Sequence, residues 1–244
     1  MIDKSLVKKR FQKSLKTYDD NAFIQKQTAK KLIKLMADRE YSSIFEIGCA
    51  TGILTKEICE NLKFKHFYAN DLVEDSQKFV EKIIPDCIFI QGDIEKITIT
   101  EKYDLIISNA CLQWCNDIEK TLEKLINSLN KNGFIAISIF GDENLKEITK
   151  LFGINNKAYS MQKLKTSLQK YNIVEYKEET ARLYFNSPLD VLKHLKLTGT
   201  NAVQAMNLTK SKLKEFEEKY KTFYSENGKV CLTYNPVYIV LKKD

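Results

Sequence analysis

The segment 45–58, FEIGCATGILTKEI, is the stretch that most limits what this chain can become. Two of only eight glycines, Gly48 and Gly52, stand four apart directly after an apolar run. Glycine admits positive φ and lets another group approach the backbone closely. Apolar run, glycine turn and the ILTKEICENL segment (53–62) predict strand, tight loop and helix. That is where open α/β sheets bind nucleotide-like cofactors.

The rest of the chain continues the alternation. AFIQKQTAKKLIKLMA (22–37) spaces its apolar residues with a helical period, and SIFEIG (43–48) is the first strand. HFYAND (66–71) is a second strand ending in an acid, and CIFIQGD (87–93) is a third. YDLIISNA (103–110) is almost continuously apolar, as a strand buried on both faces should be. IEKTLEKLINSLN predicts a helix that Gly133 stops, and GFIAISIFG a fifth strand. Beyond this, IVEYKEETARLYF and VCLTYNPVYIVLKK each predict one strand, with about forty residues of helical pattern between them. The expected architecture is a Rossmann-like α/β fold: a mostly parallel seven-stranded sheet, helices on both faces, and a helical lid between the last two strands. The expected organisation is one domain over 1–244, with an N-terminal helical cover over 1–40 and the lid over 187–226. His194 falls in that lid, where a surface position is the default.

Composition excludes several function classes. No apolar run approaches the ~20 residues of a membrane span, and the N-terminus lacks a signal-peptide pattern, so a cytoplasmic protein is expected. Six cysteines form no CxxC pair and neither histidine adjoins one, which leaves no metal ligand set and predicts reduced thiols. The net charge of +7 suits an acidic partner, although lysines interleaved with glutamates also suit a solvated surface.

A P-loop would require GxxxxGK[ST], which is absent, and a dinucleotide site would favour GxGxxG. Glu46-x-Gly48-x-Ala50-x-Gly52 instead resembles the E/DxGxGxG loop of class I S-adenosylmethionine methyltransferases, with alanine at the middle glycine. Small residues let the loop pass close to the methionine part of such a ligand. Asp71, followed by Leu72, can accept from ribose hydroxyls. Asp93 can take the adenine amino group and Ile94 cover its ring. Asn109 ends the fourth strand beside the sulfonium. Singly, the glycines also fit a plain tight connection, the two aspartates helix caps, and Ile94 the core. Their common order at strand ends is what favours S-adenosylmethionine.

SNACLQWC (108–115), KTYDDNAFIQ (16–25), FGDENLKEI (140–148), LKLTGTNA (195–202) and LTYNPVYIV (232–240) extend the likeness over nearly the whole chain. Together they resemble the malonyl-[acyl carrier protein] O-methyltransferases of early biotin synthesis. The departures are Ala50, and Lys146 where arginine is more usual in that pattern. Lysine offers a point charge rather than a bidentate fork. The resemblance implies methyl transfer from S-adenosylmethionine to the free carboxylate of a malonyl thioester on acyl carrier protein. It implies catalytic roles for Tyr18 and Lys146, and an acceptor pocket lined by Gln25, Gln113 and Trp114. No catalytic base is needed, because a carboxylate is already ionised at neutral pH. Two other readings stay open on the residues alone: a methyltransferase for a small free acid such as trans-aconitate, and a non-catalytic protein that kept the cofactor fold. Nucleic acid is disfavoured, since SNACLQW replaces the Asn/Asp-Pro-Pro-Tyr/Phe segment that clamps a flipped base.

Overall fold

The computed structural model describes residues 2–153, 160–200 and 209–244. The N-terminal helices are α1 (Lys4–Ser14), α2 (Tyr18–Asn21) and α3 (Phe23–Lys34). The alternating part follows: β1 (Glu40–Ile47), α4 (Ile53–Asn61), β2 (Lys63–Asp71), α5 (Gln77–Ile83), β3 (Ile88–Gln91), β4 (Tyr103–Asn109), α6 (Ile118–Asn127) and β5 (Leu129–Phe140). Then come α7 (Lys146–Phe152), α8 (Met161–Leu168), β6 (Asn172–Glu178), β7 (Ala181–Phe185), α9 (Pro188–Leu197), α10 (Lys210–Tyr224), β8 (Ser225–Glu226), β9 (Lys229–Tyr234) and β10 (Pro236–Lys242). Asn201 and Ala202 of the LKLTGTNA motif, and part of the 187–226 segment, lie outside the described residues.

The main sheet has seven strands in the order β3-β2-β1-β4-β5-β10-β6. Neighbours from β3 to β5 are parallel, and β10 runs antiparallel between β5 and β6. The apolar runs bury both faces because successive side chains point to opposite sides. Phe45, Ile106 and Ile137 pack with Leu122, Leu125 and Leu164 on one face. Ile44, Leu105 and Ile107 pack with Leu32, Met36 and Ile58 on the other. This is the expected class I architecture. Among the described residues, no helix is long and apolar enough to cross a membrane.

Three local expectations are corrected. Helix α6 ends at Asn127, six residues before Gly133, which lies inside β5. The register jumps from Tyr103–Leu129 to Leu105–Phe134, so β5 carries a bulge there, and Asn132 takes φ 62°. The last two predicted strands are each broken in two. β6 and β10 stay in the main sheet, while β7, β9 and β8 form a separate antiparallel sheet. The insertion between β6 and β10 is therefore mixed, with α9 and α10 packed on that small sheet through Val191, Leu195, Phe216, Tyr220 and Leu232.

Asn235 makes the switch between sheets. Its Nδ2 donates to the Glu179 carbonyl (2.9 Å) and its Oδ1 accepts from the Glu143 backbone N–H (3.1 Å). The Gly141 N–H donates to its carbonyl (2.7 Å). Pro236 then opens β10, at the strand position where a missing N–H costs least. His194 is also corrected: it is only 6% exposed, with Nε2 2.8 Å from the Tyr234 hydroxyl.

Candidate active site

The glycine loop is built on the C-terminal end of β1. Gly48 has φ 73°, and a Cβ there would overlap the Sγ and Cβ of Cys111. Only glycine satisfies both the backbone conformation and the packing. Its N–H donates to the Asn70 carbonyl (2.8 Å), tying the loop to β2. Gly52 follows with φ 83° and caps α4. Ala50 between them also has positive φ, 47°, a region that costs a residue with a Cβ roughly 1–2 kcal/mol. The alanine is thus more than one extra methyl: the loop holds it in a glycine conformation.

Asp71 holds that conformation. Its Oδ2 accepts from the Ala50 N–H (2.9 Å) and its Oδ1 from the Val73 N–H (2.7 Å). Burial raises its pKa, partly offset by these N–H groups. A carboxylate oxygen can accept a second hydrogen bond, which leaves Asp71 able to take a ligand hydroxyl as well.

These groups border one cavity of about 740 Å³ that includes the open space at its mouth. Of the residues singled out from sequence, Tyr18, Gly48, Asp71, Leu72, Asp93, Ile94, Asn109 and Trp114 line it. Asn109 is held on three sides. Its Oδ1 accepts from Thr28 (2.7 Å) and Ser138 (2.6 Å), and its Nδ2 donates to the Gln25 carbonyl (2.9 Å). Asp93 is paired with Lys4 (3.3 Å), which also reaches Glu95 (2.6 Å). Burial raises the pKa of Tyr18, so its hydroxyl stays a neutral donor. The Trp114 ring meets Phe11 edge-on at 5.7 Å, and its buried Nε1–H has no partner among the described residues.

The remaining candidates lie outside the cavity lining. Glu46 is fully buried, with Oε2 accepting from Thr55 (2.6 Å), Oε1 without a partner among the described residues, and its pKa raised to about 8 by burial. Gly52 acts through the loop. Gln25 is buried, and its backbone rather than its side chain meets Asn109. Gln113 donates back to the Ala110 carbonyl (2.7 Å), leaving a buried Oε1 with no partner among the described residues. Lys146 starts α7 and pairs with Glu143 (3.1 Å).

Sequence reasoning missed the inner face of α1. Val7, Phe11 and Leu15 line the cavity beside Tyr18. Their spacing of four, behind an Asp3 cap that accepts from Ser5 and Leu6, is the signal that marks this helix. Glu147 was missed too. It is buried, accepts from the Thr233 N–H (2.9 Å) and hydroxyl (2.5 Å), and ties α7 to β9.

The residues present fit S-adenosylmethionine: a close-approach glycine, further acceptor capacity on Asp71, and an apolar cover. Fold and site together define a class I S-adenosylmethionine-dependent methyltransferase. A methyltransferase domain family matches residues 45–137. The N-methyltransferase NodS of Bradyrhizobium japonicum, solved with S-adenosyl-L-homocysteine, shares the fold at TM-score 0.59 and 13% identity, over 97% of this chain and 98% of that one. The malonyl-[acyl-carrier protein] O-methyltransferase of Calditerrivibrio nitroreducens is 36% identical over 241 residues, covering 97% of this chain and 96% of that protein. The protein of the same name from Chlorobium luteolum is 33% identical over 254 residues, covering 100% and 97%. The chain belongs to the malonyl-[acyl-carrier protein] O-methyltransferase family.

Proposed function

We infer that this enzyme methylates the free carboxylate of a malonyl thioester carried on acyl carrier protein, an early step of biotin synthesis. The observation that carries the reading is full-length similarity to proteins of that name, through the glycine loop and into the C-terminal strands. S-adenosylmethionine, when bound, supplies a methyl group on a cationic sulfonium.

The chain's own contribution is to hold, orient and exclude water. Asp71 is the proposed acceptor for ribose hydroxyls and Asp93 for the adenine amino group, with Leu72 and Ile94 beside them. Asn109, immobilised by α3 and β5, fixes the wall next to the reacting centre. Residues 1–40 form the proposed cover and 187–226 the proposed lid. Val7, Phe11 and Leu15 put apolar surface over the cavity, which removes water from an ion pair that neutralises as it reacts. No residue need take a proton from an acceptor already ionised. Positioning can therefore supply most of the acceleration. Tyr18, kept neutral, can donate to the acceptor carboxylate. The buried Trp114 Nε1–H offers a second donor, and Lys146 is proposed to act from the insertion side.

Incubation with methyl-labelled cofactor and malonyl-acyl carrier protein, followed by mass analysis of the carrier-bound group, tests the assignment. One methyl ester on the malonyl group is expected. Equal rates on free malonate and on the carrier-bound substrate would instead identify a small-acid methyltransferase.

A further inference from the structure

We propose that the outer face of α1, joined to the last turns of α9, is the surface on which the acidic carrier protein docks. This rests on the reading that the acceptor is a carrier-bound thioester. From Lys4 to Lys16 the chain has six cationic residues and no carboxylate. Lys4 is spent inward on Asp93 and Glu95, and Lys8 lines the cavity. Lys9, Lys13 and Lys16 are exposed, and none has an ion-pair partner among the described residues. Lys9 and Lys13 are four apart and so share one helix face.

Helix α9 lies beside the end of α1. The Thr17 hydroxyl donates to the Leu197 carbonyl (3.1 Å), bringing the chain after α1 against the end of α9. Exposed Lys193 and Lys196 lie in those last turns of α9. Helix α10 is the contrasting case. Its lysines are interleaved with Glu215, Glu217 and Glu218, and Lys219 pairs with Glu215 at 2.6 Å.

Position favours the same surface. The inner side of α1 roofs the cavity, so a carrier seated outside it stands next to the seam between α1 and α9. The thioester then has a short path to Trp114 and Asn109. An acidic partner gains association rate from an unpaired cationic face, and that gain is screened by salt.

The test compares kcat/KM on malonyl-acyl carrier protein with that on the small thioester malonyl-N-acetylcysteamine, which carries the same acceptor carboxylate but no carrier protein. The triple variant Lys9→Glu, Lys13→Glu, Lys16→Glu should lower the carrier-to-small-thioester ratio by about tenfold or more at low salt. It should also flatten the salt dependence seen with the carrier. The control Lys212→Glu, Lys214→Glu, Lys221→Glu on α10 should change the ratio less than about twofold, as scattered surface charges do. Binding of S-adenosylhomocysteine checks folding, and a Lys→Gln triple at the same α1 positions replaces the Glu set should that set not fold. An unchanged ratio, or a larger loss from the α10 control, would overturn the surface. Wild-type enzyme inactive on both thioesters would overturn the functional reading, and the surface with it. Wild-type enzyme equally active on both would leave the methyl transfer standing and overturn the docking surface alone.

Discussion

Beneath the glycine loop and inside the C-terminal insertion, the protein buries an ionisable group with no opposite charge paired to it among the described residues, and the two respond to pH in opposite directions. Glu46 lies under the loop with one hydrogen-bond partner, and burial raises it to about 8. His194 lies in the insertion with one partner, Tyr234, and burial lowers it to about 4. The cause is the same, since low dielectric disfavours whichever form is charged. Near neutral pH Glu46 is mostly protonated and His194 is neutral. The cofactor half therefore weakens as pH rises, and the insertion weakens as pH falls.

The largest effect should come from removing the charged group that organises the loop. Asp71→Ala takes acceptors from the Ala50 and Val73 N–H groups and from the proposed ribose site. Hydrogen bonds to a charged group contribute about 1.5–3 kcal/mol each. Affinity for S-adenosylhomocysteine should drop tenfold or more by calorimetry, while hydrogen exchange in α9 and α10 stays at wild-type rates. Unchanged affinity in a folded variant would remove Asp71 from the cofactor site. Equal loosening of the insertion would show that the two regions are one cooperative unit.

Next comes Glu46→Gln, which keeps shape and removes the titration. A carboxyl whose folded pKa lies above its unfolded value binds more protons when folded. Its stabilisation is complete below about pH 4.5 and is lost as pH rises through about 8. Wild-type Tm should therefore fall relative to Glu46→Gln between pH 5 and 8, by several degrees. Parallel Tm curves for the two proteins would mean that Glu46 is ionised in the fold.

His194→Gln has the opposite sign and a smaller size. The folded pKa lies below the unfolded value, so the unfolded chain binds the extra proton. Stability is complete above about pH 6.5 and declines as pH falls toward 4. Hydrogen exchange in α9 should accelerate on acidification in the wild type, and less so in the variant. Acid loosening of the same size in both would assign the effect to other groups.

The two regions also differ in how far the sequence discloses them. Around the loop, each signal is local: glycines at φ 73° and 83°, acids at strand ends, continuous apolar runs in β1 and β4. Most of the cavity wall follows from these. The insertion depends on partner changes that leave the strand-like pattern of the sequence unbroken. VCLTYNPVYIVLKK reads as one mostly apolar strand on both sides of Asn235, yet its first half pairs with β7 and its second with β5. The switch is made by contacts from Asn235 to residues 143 and 179, far off in sequence. His194 likewise becomes a core residue only because Tyr234 meets it. The bulge that places Gly133 inside β5 is a tertiary pairing with β4, invisible to helix-stop rules.

The smallest effect sharpens the loop side of the comparison. Ala50 holds φ 47° between two glycines, with its N–H fixed by Asp71. Replacing it with glycine relieves about 1–2 kcal/mol of left-handed strain. Against this, glycine adds unfolded-state freedom worth about 0.4–1 kcal/mol. The net expectation for Ala50→Gly is a gain of about 0.5–1 kcal/mol, or roughly 1–4 °C in Tm for a chain of this length. The gain should appear at every pH, because neither term involves a proton, unlike the changes at Glu46 and His194. It should also leave cofactor affinity nearly constant, since the Asp71 contact to this N–H already holds the loop in place. A loss of Tm would mean that the alanine methyl packs well enough to outweigh its backbone cost. A rise in affinity without a rise in Tm would instead locate the strain in the closing of the loop around its ligand.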